Sequence, residues 1–276
     1  MTAITRHSAE GLSYLACDGR GTTPIVLLHG IGSNARSFEP LMRAFQARCR
    51  ALAWDAPGYG ESEPLPVAWP DASDYAAALR RLLEHLAVSR CVLVGHSLGA
   101  LIAACFALEA PDRIAALVLA SPALGHGAEK GAALPPAVAA RIEELDRLGP
   151  EKFAAARAPG LLADATARPD VLLAVTRAMA SVRRPGYDQA ARLLAAGRLL
   201  DDVAKIAVPT AIVVGMQDRI TPPENARRLF AVLPKSSPRH CYREVEDAGH
   251  AVCQEQPGEI ARVIAELVDH EANAHA

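Results

Sequence analysis

The pentapeptide at residues 95–99, Gly-His-Ser-Leu-Gly, places Ser97 between a run that predicts a strand (residues 91–94) and a run that predicts a helix (residues 98–108). A sharp strand-to-helix turn lifts a serine hydroxyl clear of the sheet, and the N–H groups at the start of the helix favour negative charge that develops beside it. Without that strand and helix the same five letters would indicate only a glycine-rich turn. In this setting Ser97 is predicted to be a nucleophile.

The flanks of Ser97 consist of small residues. Such a turn is strained and crowded, so the neighbouring positions must have little or no side chain. Gly95, Gly99 and Ala100 meet this requirement. We therefore predict that Gly95 and Gly99 support the turn.

A histidine and an aspartate follow later predicted strands. A serine hydroxyl is a weak nucleophile unless an imidazole accepts its proton, and a carboxylate must orient that imidazole. His250 follows the last predicted strand, and Asp218 follows the strand at residues 209–214. Asp247 is the competing carboxylate, but three residues from His250 it would more readily cap its own turn. The order Ser97, Asp218, His250 is the nucleophile, acid and base order that accompanies this type of turn.

Two backbone N–H groups are predicted to bind the oxygen that becomes negatively charged during acyl transfer. Leu98, at the start of the helix, supplies one. The second is assigned to Ile31, in the loop that follows the strand at residues 24–28. Gly30 and Gly32 would let this loop approach closely.

Two further histidines are predicted to be supporting residues. His29 is expected to form hydrogen bonds within its loop rather than to act as a base. His96 is expected to point away from Ser97 and to be structural.

Short apolar strands alternate with amphipathic helices along the chain, which implies crossover connections and a parallel sheet. The predicted strands are residues 12–17, 24–28, 50–54, 91–94, 115–120, 209–214 and 241–245. In such a sheet, ligands bind beyond the carboxyl ends of the strands. The candidate residues above all follow such ends.

Residues 125–200 contain no convincing strand. Gly and Pro breaks separate four predicted helices, at residues 137–148, 151–156, 169–182 and 187–196. We predict that residues 123–200 form a helical cap, inserted into a core made of residues 1–122 and 201–276. The alternative is that this block belongs to the ordinary helical layer. Downstream, residues 221–224 (Thr-Pro-Pro-Glu) predict a helix capping box.

Composition argues against several classes of protein. The 276 residues carry a formal net charge of -2 without a long run of like charge, so no nucleic-acid surface is expected. The six cysteines are scattered, which argues against a zinc site or a disulfide framework. No membrane span and no signal peptide are recognisable, so a cytoplasmic location is expected. No metal or organic cofactor is implied, and the oligomeric state cannot be read from the sequence.

Taken together, these motifs resemble those of α/β-hydrolases, from about residue 12 to 268, and in particular the capped serine esterases and lactonases. The motifs are His29-Gly30 with Gly32, residues 55–62, residues 95–99, residues 215–218 and Gly249-His250. The resemblance implies a mostly parallel eight-stranded sheet with helices on both faces and an inserted helical cap. It also implies that Ser97, Asp218 and His250 are the catalytic triad, with Ile31 and Leu98 as the oxyanion donors.

The same resemblance implies a serine hydrolase that cleaves a small carboxylic ester through an acyl-enzyme intermediate. Its partners would be a small apolar acyl substrate and water. Dehalogenases and epoxide hydrolases of this fold use an aspartate nucleophile, and the serine at position 97 argues against both. Three alternatives stay open: a hydrolase of lactones or of carbon–carbon bonds in aromatic-degradation intermediates, an acyltransferase, and a ligand-binding protein without turnover.

The pocket is expected to be aliphatic, because only 4% of the residues are aromatic. Candidate lining residues in the helical block are His126, Leu161, Leu162, Val175, Met179 and Tyr187. A role in the core between helices is the alternative for the five apolar candidates, and an exposed surface position is the alternative for His126.

Overall fold

Eight strands form one sheet in the computed structural model, which describes residues 3–45, 48–235 and 240–272. The strands are β1 (Thr5–Ala9), β2 (Leu12–Cys17), β3 (Ile25–Leu28), β4 (Ala51–Trp54), β5 (Cys91–His96), β6 (Ile114–Ala120), β7 (Thr210–Gly215) and β8 (Cys241–Val245). Their order is β1-β2-β4-β3-β5-β6-β7-β8. β2 pairs antiparallel with β1 and with β4, and all later pairs are parallel. The predicted mostly parallel eight-stranded sheet is confirmed.

From β3 onward, the connections between strands contain helices. The helices are α1 (Glu39–Phe45), α2 (Ala72–His85), α3 (Gly99–Glu109), α4 (Pro136–Arg157), α5 (Pro169–Ala180), α6 (Gly186–Ala196), α7 (Leu199–Val203), α8 (Pro223–Val232), α9 (Val252–Glu255) and α10 (Pro257–Ala272). In the part of the chain that the structure describes, no helix is long and apolar enough to cross a membrane.

The central strands are buried on both faces, as expected for a parallel sheet between two helical layers. Every residue of β3, β6 and β7 is buried. One face packs against α2 and α3, for example through Leu79 and Phe106. The other packs against α1 and α10, for example through Leu41 and Val263. Burial on both faces explains why the strands read as continuous apolar runs.

Strand register brings the carboxyl ends of the central strands to one edge. Leu28 at the end of β3 pairs with Gly95, and His96 at the end of β5 pairs with Ala120. Farther along the sheet, the last residue of β7 pairs with the last residue of β8. The loops that follow β3, β5, β7 and β8 therefore emerge side by side, and these loops hold the candidate residues.

Helices α4 to α7 lie between β6 and β7 in the chain, within the segment for which no strand was predicted. The backbone of α4 leaves the helical region at Gly149, at a φ of 70°, where a Gly-Pro break was predicted. The helices pack closely on the sheet layer. A Cβ atom on Gly186 would lie 2.3 Å from the carbonyl oxygen of Gly58. Tyr187 and Leu193 of α6 belong to the same apolar cluster as Leu79 and Phe106. The division of the chain into a core and a cap at residues 123–200 stays a prediction.

Candidate active site

Ser97 lies in a tight turn between β5 and α3, with a left-handed φ of 53°. This conformation is uncommon for a residue with a side chain and is held by the surrounding backbone. A Cβ atom on Gly95 would lie 2.5 Å from the Gly99 carbonyl oxygen, and one on Gly99 would lie 2.3 Å from the Leu28 carbonyl oxygen. The two glycines are therefore required by close backbone contacts on either side of Ser97.

Asp218 and His250 form a buried pair at the ends of β7 and β8. His250 Nδ1 lies 3.0 Å from Asp218 Oδ2, and their side chains are 5% and 0% exposed. Asp247, the competing carboxylate, is exposed. With its Nδ1–H donated to Asp218, His250 can present an unprotonated Nε2 to a hydroxyl group.

Asp218 accepts hydrogen bonds on both carboxylate oxygens. Oδ1 accepts from the backbone N–H groups of Ile220, at 2.8 Å, and Thr221, at 2.9 Å. Burial by itself raises the pKa of Asp218, but the nearby His250 and the hydrogen bonds outweigh it and bring the pKa to about 2. The carboxylate therefore stays ionised beside the imidazole at neutral pH.

Thr221 is part of this network and was missed by the sequence analysis. Its Oγ1 lies 2.9 Å from Asp218 Oδ2, 2.9 Å from the Ser121 carbonyl oxygen and 3.1 Å from His250 Nδ1. The capping box predicted at residues 221–224 is wrong, because α8 begins at Pro223 without a side-chain cap. The signal that could have found Thr221 is its position three residues after Asp218, within reach of an Asx turn.

The loop after β3 is fixed by His29. Nδ1 of His29 donates to the Gly30 carbonyl oxygen at 2.9 Å, and Nε2 accepts from the Ala56 N–H at 2.9 Å. Burial lowers the pKa of His29, so its imidazole remains neutral. A Cβ atom on Gly30 would lie 2.8 Å from Ser97 Cβ, which shows how closely the loop approaches the serine. This geometry agrees with a supporting role for His29.

Leu98 directly follows Ser97 at the start of α3, and Ile31 follows Gly30, which approaches Ser97 closely. The structure records no hydrogen bond from the backbone N–H group of Ile31 or of Leu98 to another described residue. Ile31 also lines the cavity that holds Ser97. Gly32, with a φ of 74°, donates its N–H to the Tyr59 hydroxyl at 3.4 Å. Two unused donors beside a serine match what an oxyanion hole requires.

His96 lies beside the cavity, so the prediction that it points away from Ser97 is wrong. Its Nε2–H donates to the His250 carbonyl oxygen at 2.7 Å, and the two imidazole centroids are 5.0 Å apart. Burial, reinforced by the nearby His250, lowers the pKa of His96 to about 3. His96 is therefore uncharged at neutral pH, and it holds the backbone of the loop that presents His250.

A cavity of about 670 Å³ opens between the sheet edge and the inserted helices. This volume suits a small-molecule ligand. Its lining includes Ser97, His250 and four of the six predicted pocket residues: His126, Leu161, Val175 and Met179.

The other two predicted pocket residues lie outside the cavity lining. Leu162 is 1% exposed and packs with Ala158 and Ala251 in a small apolar cluster. Tyr187 is fully buried, with its ring edge-to-face against Phe153 at 5.7 Å. Leu162 and Tyr187 therefore have the alternative role, as core residues packed between helices. Whether such a residue lines the cavity or packs in the core depends on how its helix docks, which a single sequence does not reveal.

Two arginines of α4, Arg141 and Arg157, line the cavity and were not predicted. Among the residues that the structure describes, the lining contains no aspartate or glutamate. Arg141 occurs in a helix whose charged residues look like an ordinary solvent-facing set, so no sequence signal distinguishes it. The pocket is thus less apolar than the composition suggested.

Glu255 of α9 joins the inserted helices to the loop of His250. It is 2% exposed, and its two carboxylate oxygens accept from the N–H groups of Gly249 and Ala163, each at 2.8 Å. Next to it, the Ala251 N–H donates to the Leu161 carbonyl oxygen at 2.9 Å. The carboxylate therefore fixes the contact between residues 161–163 and the His250 loop. Sequence reasoning missed this residue as well.

Within the described ranges, no group of three or more His, Cys, Asp or Glu side chains could hold a metal ion. The polar groups of the site are instead a serine, several histidines, Asp218 with Thr221, and two arginines. This set can transfer protons, attack a carbonyl group and bind an anion.

A family model described as the alpha/beta hydrolase family matches residues 25–263. The chain is also similar to 2-hydroxy-6-oxononadienedioate/2-hydroxy-6-oxononatrienedioate hydrolase 2 of Pseudomonas putida. The two sequences are 29% identical over an alignment of 264 residues, and the match covers 91% of this chain and 90% of the relative.

Two solved structures have the same overall fold. A malate-bound thermophilic esterase from Thermogutta terrifontis superposes with a TM-score of 0.81 at 25% identity, covering 98% of each chain. The enol-lactonase from Burkholderia xenovorans LB400 superposes with a TM-score of 0.82 at 21% identity, covering 96% of this chain and all of the other. At that identity the second likeness supports the fold alone.

Proposed function

The chain belongs to the alpha/beta hydrolase family, and we propose that it is a serine hydrolase that cleaves a small carboxylic ester through an acyl-enzyme intermediate. One observation carries the proposal. Ser97, in its strained turn, lines the same cavity as His250, and His250 is hydrogen-bonded to the buried carboxylate of Asp218.

In the first half-reaction, Ser97 Oγ attacks the acyl carbonyl carbon while His250 Nε2 accepts the serine proton. Asp218 holds the imidazole in the required tautomer and stabilises its positive charge. The oxyanion that forms accepts hydrogen bonds from the N–H groups of Ile31 and Leu98. When the tetrahedral intermediate collapses, His250 returns the proton to the leaving alcohol, and Ser97 remains acylated.

In the second half-reaction, His250 removes a proton from water, and the hydroxide attacks the acyl-enzyme carbonyl. The same two N–H groups bind the second oxyanion. Its collapse breaks the bond to Ser97 Oγ, which takes the proton back from His250 and releases the carboxylic acid. The chemistry needs no further group. We also propose that residues 123–200 act as a cap, because Arg141, Val175 and Met179 from this segment form part of the cavity wall.

A second candidate is the hydrolysis of a lactone or of a carbon–carbon bond beside a ketone, with the same residues. The relative from Pseudomonas putida, named a 2-hydroxy-6-oxononadienedioate/2-hydroxy-6-oxononatrienedioate hydrolase, favours it, since the likeness extends over 91% of this chain. An acyltransferase would follow the same first half-reaction, with an alcohol or thiol in place of water. All of these reactions begin at Ser97.

The decisive variant is Ser97→Ala, assayed with p-nitrophenyl esters of increasing acyl length. We expect turnover by the natural sequence and a loss of roughly 10⁴- to 10⁶-fold in kcat in the variant, because the nucleophile is removed. Ser8→Ala, at an exposed position of the edge strand β1, is the matched control and should retain full activity.

The outcomes separate the candidates. Wild-type rates in Ser97→Ala would overturn the assignment. Labelling of Ser97 by a fluorophosphonate without ester turnover would support the lactone, carbon–carbon bond or acyl-transfer reactions, which product assays then distinguish. If Ser97 is not labelled and no ester is turned over, the result supports a ligand-binding protein without catalysis.

A further inference from the structure

The cavity beside Ser97 contains an arginine, Arg141, that has no carboxylate partner among the residues that the structure describes. From it we infer that the substrate carries a carboxylate in addition to the bond that is cleaved, and that Arg141 binds this carboxylate. The inference rests on the proposed function, because it names the class of substrate for the same site.

Arg141 is held by one hydrogen bond that leaves most of its donors unused. Its Nε donates to the Tyr187 hydroxyl at 3.3 Å, and Tyr187 is fully buried. Within the part of the chain that the structure describes, the two terminal nitrogens have no hydrogen-bond partner, and no carboxylate lies within salt-bridge distance. Burial raises the pKa of the neighbouring Tyr59 well above 10, so this phenol is neutral and does not compensate the charge.

Arg157, the second cationic group of the lining, is in a different situation. Its Nε donates to Glu144 Oε2 at 2.7 Å, and its guanidinium lies 5.0 Å from the centre of the Phe153 ring. Its charge is therefore balanced by a partner outside the cavity lining. Arg157 adds positive potential, but Arg141 has the donors available for a ligand.

The rest of the lining is consistent with an anion. Its described residues include no carboxylate that would repel one, and the remaining polar side chains are histidine, serine, threonine, asparagine and glutamine. A guanidinium in a partly enclosed apolar cavity interacts strongly with an anion, because little water screens the charges. Two terminal nitrogens in one plane match the two oxygens of a carboxylate. A half-buried, unpaired arginine costs stability in the empty protein, and an anionic ligand would remove that cost.

The inference is tested with p-nitrophenyl monoesters of adipic and suberic acid. The reference compounds have a terminal carboxamide in place of the carboxylate, so the two members of each pair differ mainly in charge. For at least one chain length we expect the natural sequence to favour the carboxylate by about 10- to 100-fold in kcat/KM, as one charge-assisted contact would give. In Arg141→Gln the ratio should fall to about 1, and Arg141→Lys should keep part of it.

Arg147→Gln is the control, since Arg147 is exposed on the same helix and does not line the cavity. It should keep the full ratio. A wild-type ratio of 1 or less, or a ratio unchanged in Arg141→Gln, overturns the inference. If Arg141→Gln does not fold, inhibition of the natural sequence decides: adipate must compete at least tenfold better than adipamide, and equal inhibition overturns the inference. Ser97-dependent hydrolysis of the carboxamide compounds would leave the proposed function intact even if the anion preference failed.

Discussion

The pair Asp218–His250 is stabilised by several groups that act on one carboxylate. Two backbone N–H groups bind Oδ1, while His250 and the Thr221 hydroxyl share Oδ2. The Thr221 hydroxyl has one proton and two acceptors at 2.9 Å, namely Asp218 Oδ2 and the Ser121 carbonyl oxygen. Its contact with Ser121 ties the loop after β7 to the end of β6. Orientation of the proposed base therefore depends on a neighbouring strand as well as on its own loop.

The lowered pKa of Asp218 predicts a pH dependence of stability. Because the folded-state pKa is about 2 and the ordinary value is 3.8, the ionised carboxylate stabilises the fold above about pH 4, and this contribution is lost as the pH falls toward 2. A difference of this size corresponds to about 2 kcal/mol. Urea unfolding at pH 5, 4 and 3 should show the stability advantage of the natural sequence over Asp218→Asn becoming smaller.

An advantage that grows as the pH falls would contradict this prediction. Asp247→Asn removes an exposed carboxylate at the same edge of the sheet and is the control. It separates the effect of the buried pair from the general response of the molecule to acid.

At the residue scale, the parts of the candidate site that sequence reasoning could reach were those with a local signal. The turn around Ser97 is recognisable because its crowding demands small neighbours at fixed positions, and the close contacts of Gly95 and Gly99 bear out that demand. Arg141 had no such signal, because its place in the cavity depends on how α4 docks on the rest of the molecule. The assignment of Ser97, Asp218 and His250 as catalytic stays a prediction until it is tested.

At the element scale, predictability follows burial. β3 and β6 are apolar throughout, and β7 is apolar after Thr210, because both faces are covered, and the sequence predicted all three strands. β1 was not predicted. It is an edge strand with mostly exposed side chains, so its residues lack the apolar run that marks a buried strand. Its place in the sheet comes from pairing with β2, a contact that its own five residues do not encode.

The short helix α9 provides the element-scale prediction. In Glu255→Gln the amide retains one acceptor oxygen, while its NH₂ group would face the N–H of Gly249 or of Ala163. Leaving a buried donor without a partner costs about 1–3 kcal/mol. We expect the free energy of unfolding to fall by this amount in a urea titration, and kcat/KM for a neutral ester to fall with it, because the loop of His250 loses its anchor.

Glu259→Gln is the matched control on the neighbouring helix α10. Glu259 is 39% exposed and paired with Arg262, so its replacement should cost less than about 0.5 kcal/mol. Equal losses in the two variants would show that the bridge from Glu255 to the inserted helices does not contribute.

At the scale of the whole molecule, the inserted helices and the sheet contribute side chains to the same apolar cluster. Trp54 of β4 and Tyr187 of α6 belong to one apolar cluster. A separate small cluster brings Trp69 against Val138 of α4 and Ala191 of α6. The two tryptophans of the chain therefore report on different parts of it.

This arrangement predicts that the sheet and the inserted helices unfold together. In Trp54→Phe the fluorescence comes from Trp69, beside the insertion, and in Trp69→Phe it comes from Trp54, inside the core. In each variant the midpoint of urea unfolding by fluorescence should coincide with the midpoint by far-ultraviolet circular dichroism. A fluorescence transition of Trp69 at clearly lower urea concentration would mean that the insertion unfolds on its own.

The cavity wall comes mainly from two parts of the fold, the loops at the ends of sheet strands and the helices between β6 and β7. Ser97 and His250 lie in loops at the ends of sheet strands, whereas Arg141 and Met179 lie in helices between β6 and β7. Substitutions in those helices can change the shape and charge of the cavity beside Ser97, while the strand register that aligns Ser97, Asp218 and His250 stays the same. The ligand preference of the cavity can therefore change through single substitutions at positions that are distant from Ser97 in the sequence.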